Sequence, residues 1–151
     1  MEKEKLIELY DEFFPDVQRL AFSLLKNKED SMDAAQDVFV KLMRSNIVLI
    51  PGKEKMWLLK VTANECRDML RRSRPTEELP EDMTSQETDR EVWELLSGLK
   101  PEDRAVIQLY YFDGYSVKEI GQILGITASG VSMRLSRARK KLRAILEDEY
   151  E

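Results

Sequence analysis

The chain has 151 residues, no His, one Cys and a formal net charge of −5, and 35% of its residues are charged. Because it lacks His and a second Cys, the sequence excludes the commonest general base, the commonest metal ligand, an internal disulfide and a cysteine zinc site. We therefore expect a protein that is not an enzyme and that needs no metal ion or cofactor, and the acidic pI near 5.0 argues at first against a nucleic-acid partner.

The sequence also predicts a cytoplasmic protein with no membrane insertion. Its longest unbroken apolar run, residues 47–50, is far shorter than the stretch that a membrane-spanning helix needs. The first ten residues mix acids with lysines and contain no apolar signal core.

Apolar residues at helical spacing predict two helices at the N-terminus. The first covers residues 6–14 and is expected to end at Pro15, because Pro cannot continue the hydrogen-bond ladder of a helix. Pro suits the first turn of a helix, so Pro15 is expected to begin the second, which runs to Leu25.

Two further helices are predicted before residue 73. Residues 27–30 form a predicted polar turn, after which Asp30 or Ser31 is expected to cap a third helix. The β-branched residues 47–50 precede Pro-Gly and no matching strand is found, which indicates a connecting loop. A fourth helix is predicted from about residue 53 to residue 72.

Residues 76–91 carry most of the acidity of the chain. They contain seven acidic residues and one Arg, a net charge of −6, while residues 1–75 have a net charge of +1 and residues 92–151 are neutral. A segment of this composition buries too little apolar area to offset the entropy of ordering it. The sequence thus predicts an all-α fold of two small helical domains, 1–75 and 92–151, joined by a flexible acidic linker.

The C-terminal domain has the signals of a helix-turn-helix over residues 116–142. Pro101 opens one helix and Asp113-Gly114 end it, after which Ser116 begins an S-x-x-E capping box. Gly125 supplies the turn and Thr127 is expected to cap a last long helix.

The apolar stripe of the last helix predicts which side chains face outward. The stripe consists of Val131, Leu135, Ala138 and Leu142. The outward positions nearest the helix start, where base edges would be reached, are then Ala128, Ser129, Ser132, Met133, Ser136 and Arg137. Residues 134–143 hold six basic side chains and no acid. This pattern favours DNA binding, and the alternative is a solvated basic face on a helical bundle.

With these residues in place, the chain resembles bacterial RNA polymerase sigma factors of the extracytoplasmic-function group of the sigma-70 family. Residues 33–42 (DAAQDVFVKL) match one family helix, and residues 57–64 (WLLKVTAN) with 68–72 (DMLRR) match another. Residues 109–116 (LYYFDGYS) and the stretch that ends in 134–139 (RLSRAR) are similar to the C-terminal, promoter-reading domain. One departure is Gly121, where the family usually has Ala; Gly lowers helix propensity by up to ~1 kcal/mol.

The resemblance implies that the fourth helix, with the loop at residues 46–55 before it, holds the −10 element and assists strand opening. Strand opening needs cations for single-stranded phosphates and a pocket for an extruded base. Trp57 is either part of the core or a platform on which a base stacks. The residues expected to contact the −10 element are Lys53, Lys55, Lys60, Asn64, Arg67, Arg71 and Arg72.

The resemblance also implies two further binding surfaces and a regulatory partner. The helix-turn-helix would read the −35 element through Ser129, Ser132, Met133, Arg134, Ser136, Arg137 and Lys140. The third helix would bind core RNA polymerase through Asp33, Gln36, Asp37, Phe39, Val40 and Met43, although Phe39 and Val40 are equally explained as core. An anti-sigma factor is expected as a third partner, besides the polymerase and promoter DNA.

Two alternatives belong to other functional classes. A stand-alone helix-turn-helix regulator would bind duplex DNA specifically without polymerase, usually as a dimer on paired half-sites. A helical adaptor would bind only proteins, but the basic ends of the fourth and last helices do not favour that function.

Overall fold

The computed structural model describes residues 2–72 and 94–150, with side chains described through residue 147. Every regular element in these residues is helical, so the predicted all-α class is confirmed. The predicted linker, residues 76–91, lies outside the described residues. The elements are α1 (Lys3–Leu25), α2 (Lys28–Arg44), α3 (Glu54–Arg72), α4 (Pro101–Ile107), which continues as a π-helix (Gln108–Phe112), α5 (Val117–Leu124) and α6 (Ala128–Tyr150).

Helix α1 is continuous where the sequence predicts two helices. Pro15 lies inside it, although a Pro in a helix interior removes one hydrogen bond and costs ~3 kcal/mol. Leu9 before Pro15 and Val17, Leu20 and Leu24 after it are all buried, so α1 packs on both sides of the Pro. The prediction that Pro15 ends the helix was wrong because this burial outweighs the local cost.

Helix α2 begins three or four residues earlier than predicted. The side chain of Asn27 accepts a hydrogen bond of 2.9 Å from the backbone N–H of Asp30, so Asn27 is the N-cap. Ser31, one of the two predicted caps, lies inside the helix and its hydroxyl donates to the carbonyl of Lys28. The predicted polar turn is therefore the cap and first turn of α2. The loop predicted after this helix is confirmed, with a turn at Pro51-Gly52.

Two apolar clusters form the core. One lies within the N-terminal segment and consists of Leu9, Val17, Ala35, Val38, Phe39, Leu42 and Leu58. The other, which we call the shared core, draws on both described segments. From the first segment it includes Leu20, Leu24, Leu59 and Cys66, and from the second Leu99, Val106, Leu109, Ile120, Ile123, Leu124, Val131 and Leu135. The two segments are therefore packed against each other, which the sequence does not predict.

The helix-turn-helix forms as predicted. The hydroxyl of Ser116 accepts from the N–H of Glu119 at 3.1 Å, and the Glu119 carboxylate accepts from the N–H of Ser116 at 3.0 Å, which completes the capping box. Gly125 ends α5 with φ +68°, in the left-handed region that favours glycine. The hydroxyl of Thr127 accepts from the N–H of Gly130 at 3.0 Å at the start of α6.

Candidate nucleic-acid interface

Helix α3 presents a row of polar and basic side chains opposite its buried face. The buried face consists of Leu58, Leu59, Thr62, Ala63, Glu65 and Cys66. Lys60, Asn64, Arg67 and Arg71 follow one another at steps of three and four residues, which is the spacing of a single helix face. Of the predicted −10 residues, Lys53, Lys60, Asn64, Arg71 and Arg72 are exposed, and Lys55 and Arg67 are half-buried.

Lys55 and Arg67 differ from the others because they contact the second segment. The ammonium of Lys55 lies 5.2 Å from the ring centre of Tyr115 and 3.5 Å from a carboxylate oxygen of Asp16 in α1. The Nε of Arg67 donates to Glu102 Oε1 at 2.9 Å. Arg71 pairs within α3, with Asp68 at 3.1 Å. Two of the predicted −10 cations are thus engaged inside the molecule.

The loop before α3 has an apolar tip that faces solvent. Val48 is 90% exposed, and Ile47 and Ile50 are also exposed. Lys5 and residues 46–49 line a shallow cavity of about 350 Å³ beside this tip. Trp57 is half-buried and packs against the N-terminal core, which favours the core role for Trp57 over a stacking platform.

Helix α6 exposes the polar face that the sequence predicts for base contacts. Val131, Leu135 and Ala138 are buried as expected, and Leu142 is half-buried. Met133 is 61% exposed. The exposed members of the predicted −35 set are Ser129, Ser132, Met133, Ser136, Arg137 and Lys140, and Arg134 is half-buried.

The two arginines of this set are held by acids in the first turn of α4. Arg137 makes a bidentate pair with Asp103, with hydrogen bonds of 2.9 and 2.7 Å, and this hydrogen bonding raises the pKa of Arg137. Arg134 donates from Nη2 to Glu102 Oε2 at 3.0 Å. Its Nε is buried and has no hydrogen-bond partner among the described residues. Ion pairs with Glu102 and Asp103 therefore hold both guanidiniums in place.

Helix α2 carries the predicted polymerase surface. Asp33, Gln36, Asp37 and Met43 are exposed, and Met43 is 53% exposed. Phe39 is buried, with its ring centre 5.0 Å from that of Tyr10 and 6.1 Å from that of Phe14. Val40 is half-buried. The structure therefore places Phe39 in the core beneath this surface.

Comparisons with known proteins agree with the geometry of both segments. A model of sigma-70 region 2 matches residues 9–76, and a model of sigma-70 region 4 matches residues 89–142. The chain is 33% identical over 155 residues to the ECF RNA polymerase sigma factor SigE of Mycolicibacterium smegmatis, and the match spans 92% of the chain and 60% of that protein. It is 30% identical over 148 residues to the ECF RNA polymerase sigma factor SigM of Mycobacterium tuberculosis, over 92% of the chain and 76% of that protein.

The chain belongs to the ECF group of the sigma-70 family. Its fold is that of the sigma factor RpoE from Bartonella quintana, solved in complex with the anti-sigma factor NepR; the TM-score is 0.77 at 22% identity, over 97% of this chain and 98% of that one. Helices α2 and α3 lie within the region 2 match, and α4 and α5 within the region 4 match. As a member of this family, the protein is a transcription initiation factor that directs RNA polymerase to promoters.

The acids that hold the arginines of this sigma factor are not predicted by its sequence. Glu102 and Asp103 lie in the first turn of α4, where acids are expected on any helix because they offset the helix dipole. Their partners are 32 to 35 residues away in sequence. The one available signal is that Asp103 and Arg104 directly precede the apolar Ala105, Val106 and Ile107, and both are buried.

The described residues of the sigma factor contain neither a membrane-spanning helix nor a cluster of metal ligands. No helix there combines the length and the apolar character that crossing a membrane requires. Within the same residues, no group of three or more His, Cys, Asp or Glu side chains is arranged to hold a metal ion.

Proposed function

We propose that α3 and the loop before it bind and open the −10 element, that α6 reads the −35 element, and that the exposed face of α2 binds core RNA polymerase. The observation that carries this assignment is the correctly capped helix-turn-helix with an exposed polar face on α6, inside the region 4 match. The predicted boundaries at residues 1–75, 76–91 and 92–151 belong to the same proposal.

The chemistry of α3 suits single-stranded DNA. A row of cations tracks phosphates without reading sequence, which is the usual design for binding a separated strand. The apolar tip at Val48 lies beside a cavity, and an extruded base needs both an apolar wall and room to enter. Asn64, exposed on the same helix face, supplies both a donor and an acceptor.

The chemistry of α6 suits duplex DNA. The first turns of a recognition helix reach the base edges in the major groove, and here they carry Ser129, Ser132 and Met133. Serine hydroxyls pair with several base edges, and an apolar side chain such as Met133 suits the methyl group of thymine. Ser136 lies on the same face, and Arg134, Arg137 and Lys140 supply the phosphate contacts that position the helix.

The surface of α2 suits a protein partner. Asp33, Gln36, Asp37 and Met43 give it an apolar spot with a polar and charged rim, which is the composition of many protein interfaces. Phe39 supports this surface from the core, and half-buried Val40 lies at its edge. In this role the chain acts by binding and does not catalyse a reaction itself, and it works in the cytoplasm, where polymerase and promoter are found.

An anti-sigma factor is part of the proposal. The RpoE structure that shares this fold contains the anti-sigma factor NepR. We infer that a protein of this class binds the present chain and keeps its polymerase- and DNA-binding surfaces covered until it is released.

The proposal is tested by reconstitution with core RNA polymerase on a genomic promoter library. We expect Arg71→Ala with Arg72→Ala to reduce strand opening at least ~10-fold, since two phosphate contacts are lost, and to leave binding to core polymerase within about twofold. Permanganate footprinting measures the opened strands, and a pull-down measures core binding.

The control removes two exposed positive charges outside α3, by Lys3→Ala with Lys118→Ala. This pair should leave opening unchanged. Equal losses of opening and core binding in the Arg71 and Arg72 variant would contradict its assigned role. If the wild-type chain neither binds core polymerase nor directs initiation from any promoter in the library, the proposed function is wrong.

A further inference from the structure

Asp103 is a buried acid that pairs with a residue of the proposed −35 surface. Its side chain is 3% exposed, whereas the side chain of its partner in α6, Arg137, is 49% exposed. Arg137 donates from Nε to Asp103 Oδ2 at 2.9 Å and from Nη2 to Asp103 Oδ1 at 2.7 Å. The pair therefore joins a carboxylate in the interior to a guanidinium that reaches solvent.

The backbone that carries Asp103 is held by apolar packing. Asp103 lies in the first turn of α4, and Ala105 and Val106 in the same helix are fully buried in the shared core. Val131 and Leu135 of α6 are buried in the same cluster, so α4 packs against α6 within the second segment. The carboxylate is thus attached to a well-packed helix next to the proposed recognition helix.

The burial of Asp103 requires a cation beside it. A buried carboxylate is costly unless an opposite charge and hydrogen bonds compensate it. Arg137 supplies both through two parallel, charge-assisted hydrogen bonds. In the part of the chain that the structure describes, no other cationic side chain forms an ion pair with Asp103. Releasing the guanidinium would leave the buried charge uncompensated, so Asp103 holds Arg137 in one orientation.

The pair uses one edge of the guanidinium and leaves another edge for a ligand. An arginine has five N–H donors, one on Nε and two on each Nη. Asp103 accepts from Nε and from one N–H of Nη2, so three donors remain, one on Nη2 and two on Nη1. Nη1 and Nη2 together form a second fork, which matches two oxygens of a phosphate. Arg137 can therefore bind a phosphate bidentately while Asp103 still holds it.

We propose that Asp103 is a positioning residue for promoter recognition, which holds Arg137 so that its second fork meets one phosphate of the −35 element. The proposal rests on the role given above to α6 and Arg137. Arg137 lies one helical turn after Met133, on the same face of α6. Because a phosphate contact fixes the register and orientation of a recognition helix, the contact at Arg137 sets how Ser132 and Met133 enter the groove.

The loss of Asp103 would change the mobility of Arg137 and not its charge. A guanidinium without its carboxylate samples several rotamers, and binding a phosphate then costs the entropy of ordering a long side chain. An arginine that is already held has lost this freedom before DNA arrives. Asp103 thus strengthens the contact with DNA although it is itself an acid.

The test measures the affinity of the holoenzyme for a promoter. The probe is a fluorescently labelled duplex that carries the most active promoter of the genomic library. Asp103→Asn keeps the shape of the side chain and removes its charge. We expect the variant to bind ~10-fold more weakly than the wild type, and the slope of log affinity against log salt concentration to become shallower by about one, because one phosphate contact is lost.

The direction of this change separates positioning from simple electrostatics. Removal of an acid near DNA reduces the repulsion of phosphates, so charge alone predicts tighter binding by Asp103→Asn. Glu94→Gln is the matched control, because it removes one exposed carboxylate of the same segment and changes the net charge equally. It should bind the promoter within about twofold of the wild type. Tighter or unchanged binding by Asp103→Asn would overturn the proposal.

A double substitution shows whether Asp103 acts through Arg137. Arg137→Gln removes the charge that meets the phosphate, keeps a donor for the buried carboxylate, and should weaken binding by a similar factor. If Asp103 acts through Arg137, adding Asp103→Asn to Arg137→Gln causes no further loss. A second ~10-fold loss in the double variant would mean that Asp103→Asn damages the fold of the domain, and the positioning role would be wrong.

Nuclear magnetic resonance checks the pair in the free chain, without polymerase or DNA. The Nε–H signal of Arg137 is assigned by its absence from the spectrum of Arg137→Gln. Nitrogen relaxation should show this group to be as ordered as the backbone of α6 in the wild type and mobile in Asp103→Asn. A mobile Arg137 side chain in the wild type would contradict the proposal, since Asp103 would then not hold it.

The holoenzyme measurements also separate failure of this proposal from failure of the proposed function. Promoter binding by the wild type with no loss in Asp103→Asn rejects the positioning role and leaves the proposed function standing. If the wild-type holoenzyme binds no promoter of the library, both the proposed function and the positioning role are wrong.

Discussion

Burial determines the chemistry of Cys66, the only cysteine of the chain. The thiol lies in the shared core with no exposed surface, and this desolvation, with the nearby charge of Glu65, raises its pKa to about 12. The Glu65 carboxylate is itself paired with Lys41. A thiolate is the reactive form of cysteine, so Cys66 is an inert core side chain at neutral pH, as its place on an apolar helix face suggests.

We expect Cys66 to resist alkylation in the folded protein. A pKa raised from 9.0 to about 12 lowers the thiolate fraction at pH 8 by ~1,000-fold, and burial further restricts access of the reagent. Mass spectrometry after iodoacetamide treatment, with and without guanidinium chloride, measures the two rates. Similar rates in the two conditions would mean that Cys66 is not buried in solution.

The sequence predicts the presence of most helices correctly, but it predicts only some of their ends. Ser116, Gly125 and Thr127 form the predicted caps and turn because their signals are local: each acts within three or four residues. Pro15 fails as a stop signal because what keeps α1 helical is burial against α2 and α3, which local sequence does not contain. The sequence does not identify Asn27 as the cap of α2, because Asn, Asp and Ser stabilise the N-cap position almost equally.

Gly121 is a helix residue whose effect on stability depends on the turn that follows it. The family usually has Ala there, and helix propensity predicts that Gly weakens α5. In this chain a Cβ at residue 121 would lie 2.7 Å from the carbonyl oxygen of Ile126, and the Ile126 N–H donates to the carbonyl of Gly121 at 3.0 Å. The turn backbone passes so close to α5 that only glycine fits without movement.

We therefore expect Gly121→Ala to destabilise the protein by ~1–3 kcal/mol, the usual range for overpacking a close contact, despite the better helix propensity of Ala. Urea denaturation measures the change in the free energy of unfolding. Gln122→Ala is the control: it alters the next, exposed residue of α5 and should change stability by less than ~0.5 kcal/mol. A Gly121→Ala protein as stable as the wild type would show that the turn moves away at little cost.

For the whole molecule, the sequence predicts two helical units and their binding surfaces but not the way in which the units meet. The surfaces follow from helix periodicity, which is why most of the α3 and α6 residues predicted for DNA are in fact exposed. The contact between the halves depends on Arg67 and Glu102, 35 residues apart, and on Arg104 and Ser23, 81 residues apart. Sequence periodicity locates the faces of a helix, but it does not identify which charged residues pair with each other at such separations.

The shared core makes the two halves one unit for unfolding. Leu24 and Leu59 from one half and Leu99 and Ile123 from the other are buried in the same cluster, so neither half can lose its structure without exposing apolar area of the other. Arg104 lies between them, and burial lowers its pKa to about 10, still well above neutral pH. The guanidinium is therefore charged at pH 7, and its buried hydrogen bonds to the α1 carbonyls are of the strong, charge-assisted kind.

We expect native-state hydrogen exchange to show α3 and α6 losing protection together in the wild type and separately in Arg104→Gln. The substitution leaves the carbonyls of Ser23 and Leu24 without their donor, at a cost of ~1–3 kcal/mol for each buried acceptor. Because these hydrogen bonds join the two halves, their loss weakens the contact between the halves. Lys100→Gln, which removes one positive charge from the exposed residue before α4, is the control and should keep the coupled behaviour. If α3 and α6 still open together in Arg104→Gln with an unchanged free energy, apolar packing alone holds the halves closed.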